Sequence, residues 1–130
     1  NAKVIRYWKS SPYSLFKSWI GWMPPHVAFY CRKEIYNEVG NFDINFRVSG
    51  DYHWFLRFFR YLEANPDKGM RYLKEDICNM KVGGASSSGV SSRWIAFWED
   101  YRACKLCGVS PFPRIIMKRF MKLNQWLYSG

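Results

Sequence analysis

Asp51 precedes a run whose apolar residues fall at positions 54, 55, 58, 59 and 62. That spacing predicts an amphipathic helix with Asp51 at its start. Backbone N–H groups and the helix dipole favour a charged carboxylate there, and an oriented carboxylate can take a proton from a hydroxyl. The same placement also describes an ordinary helix cap. His26 closes the run Trp22-Met23-Pro24-Pro25-His26. Two prolines stiffen its approach, and a held imidazole can bind a metal, touch phosphate or hydrogen-bond a sugar; it can equally be a structural group. Gly83-Gly84-Ala85-Ser86 is the third cluster. Glycines let backbone amides come close to phosphate or sugar oxygens, but neither GK[ST] nor GxGxxG accompanies them.

Cys104 and Cys107 form one CxxC, with Cys31 and Cys78 far away in sequence and no histidine beside the pair. A zinc site would need both outlying cysteines, so reduced, buried thiols are the expectation and no metal ligand is assigned. The net charge is +10, and no acid precedes Glu34. Such a balance suits an anionic partner: nucleic acid, an acidic membrane surface or a phosphorylated substrate. The aromatic residues, 20% of the chain, fall largely on helical core spacing. No RRM, KH or zinc-finger pattern appears, which disfavours nucleic acid. The chain shows no secretory signal and no apolar run long enough to span a membrane.

These residues need elements to hold them. The length is that of one domain. A short helix is predicted within 12–20, a buried strand over 26–31 behind the prolines, and a helix over 32–39 stopped by Gly40. A loop over 41–50, anchored by Phe42 and Phe46, leads into the helix of Asp51. A turn at 65–67 follows, then two short strands at 70–73 and 77–82 and a mobile glycine/serine loop. A helix over 93–107 ends at Gly108. The last helix, 114–127, is basic and carries Ile115, Ile116, Phe120, Leu123 and Leu127 on or near one face, as either an interfacial helix or an ordinary solvated helix packing on the domain would. The expected fold class is α/β, with more helix than strand.

MPPH at 23–26, FYCRKEIYNEVGNFD at 29–43, SGDYHWFLRF at 49–58 and NMKVGGASSS at 79–88 occur in that order. Together they resemble the C-terminal, acceptor-side half of bacterial family 2 glycosyltransferases of the GT-A fold. The resemblance implies residues 1–110 of a Rossmann-like nucleotide-sugar transferase, followed by the basic helix of 111–130. It implies transfer, with inversion, from a nucleotide-diphosphate sugar to a saccharide or lipid-linked acceptor, in cell-surface polysaccharide synthesis. Asp51 matches the acid of the family's ED or DD motif, the general base. Gly50 replaces the preceding acid, so no second carboxylate assists. His26 matches a histidine after MPP and implies acceptor or diphosphate contact. Trp22 and Tyr52 are the flanking ring candidates, with Tyr52 able instead to enter the core. Gly83, Gly84 and Ser86 would lie near the donor phosphates, and Arg57 would pair with a carboxylate. The family's DxD motif, which holds Mg or Mn, has no counterpart among Glu75-Asp76 and Glu99-Asp100. The nucleotide-binding half is therefore expected outside this chain, which alone should neither bind donor appreciably nor turn over. Self-association and a cytoplasmic position, peripheral at the inner face of the membrane, complete the expectations.

Overall fold

A computed structural model describes residues 6–81 and 89–127. Its helices are α1 (Leu15–Trp19), α2 (Lys33–Val39), α3 (Gly50–Ala64), α4 (Gly89–Leu106) and α5 (Arg114–Leu127), with a 3-10 turn at His26–Ala28. α3 packs against α1, α2 and α4, and α5 packs against α4.

α3 is central because it is apolar on more than one side. Trp54, Phe55, Phe58, Phe59 and Leu62 join Trp22 in an aromatic cluster. Tyr52 and Leu56 face a second cluster with Phe46, Ala103 and Cys104. Full burial of each phenylalanine contributes about 1.5–3 kcal/mol, so this one helix carries much of the core. Trp54 is wholly buried, and its indole N–H donates to the Gly40 carbonyl at 2.8 Å. The end of α2 is thereby tied to α3. Gly40 has φ 93°, and a Cβ there would stand 3.0 Å from the Arg57 guanidinium. Arg57 donates to the carbonyls of Val39 and Asn41 at 3.1 and 2.5 Å. Its partners are thus backbone oxygens rather than the carboxylate expected.

α1 ends in a Schellman motif: Trp22 N–H reaches the Lys17 carbonyl at 2.9 Å and Gly21 N–H reaches Ser18 at 3.4 Å. Gly21 has φ 102°, and a Cβ there would lie 2.4 Å from the Arg114 carbonyl oxygen. The start of α5 therefore rests on a surface that only glycine provides. Ile115 is 1% exposed, so the first turn of α5 packs into the body of the molecule.

The α/β expectation, and with it the GT-A sheet, is overturned. Among the described residues there is no strand. Residues 26–31, read as a buried strand, make the 3-10 turn and then an unpaired extended segment. Residues 70–73 and 77–81 are unpaired and largely exposed. They are tethered through side chains instead: Tyr72 Oη donates to the Ser10 carbonyl and Tyr7 Oη to Asp76. Local β preference gives a strand only where another strand lies alongside to complete the ladder. None does so here among the described residues. The helical expectations fared better, with α2, α3, α4 and α5 each overlapping its expected range.

Candidate functional site: a histidine–aspartate pair at the start of α3

His26 is held from both sides. Trp22 and Pro24 before it are buried, and the turn is closed by Ala28 N–H to the Pro25 carbonyl at 3.0 Å. Phe29, just after the turn, lies under α3 with its ring edge-on to Trp54, Phe55 and Phe58 at 5.8, 4.9 and 5.5 Å. With these anchors in the core, the imidazole is left half exposed.

Asp51 lies in the first turn of α3. Its Oδ1 accepts from Tyr52 N–H at 2.8 Å. Its Oδ2 lies 3.3 Å from His26 Nδ1, and the side chains are 27% and 52% exposed respectively. The two residues singled out separately in the sequence therefore meet at one accessible point. An added Cβ at Gly50 would make only ordinary contacts, 3.6 Å to Phe46 Cβ and 3.8 Å to the Asp43 carbonyl. The second carboxylate of the ED pattern is absent although there is room for its Cβ.

What fixes the start of α3 is a residue the sequence reading had set aside. Ser49 makes no side-chain cap. Instead the Glu99 carboxylate, from α4, accepts from the N–H groups of Arg47, Val48 and Ser49 at 2.6, 2.7 and 2.7 Å. Partial burial alone would raise the Glu99 pKa, but these three donors and Arg102 outweigh it and hold the carboxyl below its ordinary range. Its neighbour Asp100 turns the other way and is buried against Lys118, with an N–O distance of 2.8 Å. Successive helix residues point about 100° apart, so one acidic pair serves two sides of α4. No local motif marks Glu99, because its partners are backbone amides distant in sequence.

Tyr52 and Trp22 do not join the site. Tyr52 is 1% exposed, its hydroxyl 3.6 Å from Cys104 Sγ and its ring 3.9 Å from the Lys118 ammonium. Burial, then Cys104, pushes its phenol far up, so it stays neutral. Trp22 packs on Phe59 and Tyr13 at 6.0 and 6.2 Å. Both are core residues. Gly83, Gly84 and Ser86 lie outside the described residues.

A cleft of about 280 Å³ between α1, α3 and the α4–α5 connection is lined in part by Trp19, Phe59, Arg60 and Arg114 and includes neither His26 nor Asp51. The four cysteines are free, Cys104 buried and Cys78 exposed. Among the described residues no three of His, Cys, Asp and Glu cluster so as to hold a metal. The arrangement is a partly exposed carboxylate that accepts one backbone N–H through Oδ1 and has an imidazole 3.3 Å from Oδ2. Comparison with protein-family models, with characterised proteins and with solved structures gave no match.

Proposed function

We propose that this chain is the acceptor-activating part of an inverting glycosyltransferase, with Asp51 as general base and His26 positioning it. The observation that carries the reading is the approach of His26 Nδ1 to Asp51 Oδ2 at 3.3 Å on an accessible surface. The fold does not enter, since the described residues form no sheet. The order of motifs over residues 22–59 supplies the reaction class.

In this reading an acceptor hydroxyl hydrogen-bonds to Asp51. As its oxygen attacks the anomeric carbon of a nucleotide-diphosphate sugar, its proton passes to the carboxylate. The bond to the diphosphate breaks on the opposite face, and Asp51 later returns the proton to water. His26, donating from Nδ1, holds the carboxylate rotamer and leaves the remaining lone pairs for the acceptor. The donor and the divalent metal belong to residues outside this chain, and no step is assigned to a metal by the residues described.

The test is sugar transfer by the protein that carries this chain, across a panel of nucleotide-sugar donors. Asp51→Asn lowers kcat about 10²–10⁴-fold, the range for loss of a positioned base, while KM for the donor is little changed. His26→Gln gives a smaller loss. Full activity in Asp51→Asn would sink the assignment. A larger loss in His26→Gln than in Asp51→Asn would reverse the roles, making the imidazole the base and the carboxylate its orienting partner.

A further inference from the structure

α5 buries Ile115 and packs Met121 against the aromatic core, yet leaves a further set of apolar residues outward. Ile116, Phe120 and Leu123 are 47%, 58% and 62% exposed, and Phe112, just before the helix, is 51% exposed. At 100° per residue the three helical positions fall on one side. The opposite side holds buried Ile115 and Lys118, which faces Asp100 and the Tyr52 ring. An exposed apolar stripe of this kind marks a surface that meets something other than water.

Two observations indicate what it meets. Arg119 is exposed beside the stripe, and no acidic residue occurs in α5. The Arg119 guanidinium also lies 5.5 Å from the Phe97 ring on α4. Phe97 contacts Trp94 and Trp98 edge-on, and these tryptophans are 62% and 60% exposed. Exposed tryptophans beside apolar and basic residues are the composition of a surface that sits at a lipid headgroup boundary. We propose that α5, with the adjoining Trp94–Trp98 edge of α4, docks on an anionic phospholipid bilayer, α5 lying in the plane of the interface. Charge selects this occupant: with a net +10, two copies repel one another, whereas an acidic lipid surface attracts the chain. No helix among the described residues is long and apolar enough to cross a membrane, which fits a helix lying along the surface. The proposal is independent of the glycosyl-transfer reading.

The experiment is flotation of the full chain with phosphatidylcholine vesicles, with and without phosphatidylglycerol. The chain floats with the anionic vesicles, not with the neutral ones, and less at high salt. The combined variant Ile116→Ser, Phe120→Ser, Leu123→Ser keeps its circular dichroism and loses affinity at least about 100-fold, since three apolar side chains no longer enter the interface. Arg119→Gln weakens binding about fivefold. Absence of flotation with anionic vesicles, or flotation unchanged in the serine variant, overturns the proposal. So does a concentration-dependent dimer in sedimentation that the serine variant abolishes, which would give the stripe to a second copy.

Discussion

α3 and α5 both carry apolar residues at helical spacing, yet they use them in opposite senses. In α3 the pattern points inward: Tyr52, Trp54, Phe55 and Phe58 are 4% exposed or less. In α5 a lysine points inward to a buried aspartate, while Phe120 and Leu123 face out. The difference follows from neighbours. α3 has helices on several sides and the Trp22–Phe29 segment beneath it. α5 packs on α4 at the position of Asp100, and a buried carboxylate there demands a cation. Periodicity therefore tells that a helix has an apolar face, and the tertiary surroundings decide which face is covered.

The contrast can be broken most strongly at Trp54. Trp54→Ala removes the ring at the centre of the aromatic cluster and the bond to Gly40. It lowers unfolding free energy by about 3–5 kcal/mol, as large core truncations do, measured from urea denaturation midpoints.

Next in size is the start of α3. Glu99→Gln weakens the three charge-assisted bonds to residues 47–49, at a cost of about 1–3 kcal/mol near neutral pH. Because the folded Glu99 carboxyl titrates below its ordinary range, its contribution is present above the unfolded glutamate pKa and is lost as pH falls through the folded one. The parent and variant midpoints therefore converge in acid. His53, pushed down by burial and then by Arg57, destabilises both proteins over a higher pH window, so they are compared at each pH. Equal midpoints at neutral pH would show that the three amides are as well served by water.

The smallest effect is expected on the outward face of α5. Phe120→Ser changes stability by no more than about 0.5 kcal/mol, the usual range for an exposed site. A loss comparable to that of Trp54→Ala would show that the stripe is covered in solution.

The sequence carried the helices well because their signals are local. The run to Leu62 predicts α3 and places Asp51 in its first turn, and Gly40 marks the end of α2 through its positive φ. Strands are not local objects, and the residues at 70–73 and 77–81 could not reveal that no strand among the described residues pairs with them. Ring identity alone left Tyr52 open between core and site and placed Trp22 at the site, since an aromatic side chain suits a core as well as a sugar platform. Tyr52 does stand four residues before buried Leu56, and that register was a legible sign of the core. His26 and Asp51 could each be picked out singly, but their contact depends on Phe29 anchoring the turn under α3. On α5, Ile115 shares the apolar pattern of Ile116, Phe120 and Leu123 yet alone of the four is buried, because a 14-residue pattern does not choose the covered side.

The grip of Glu99 on residues 47–49 bears on the order in which the protein is made. A ribosome synthesises His26 and Asp51 well before α4. Until then the three amides that Glu99 will gather are left to water. A nascent chain halted ahead of α4 would carry both members of the pair but not the residue that aligns them. The placing of Asp51 by Glu99 is therefore complete only once translation has passed α4.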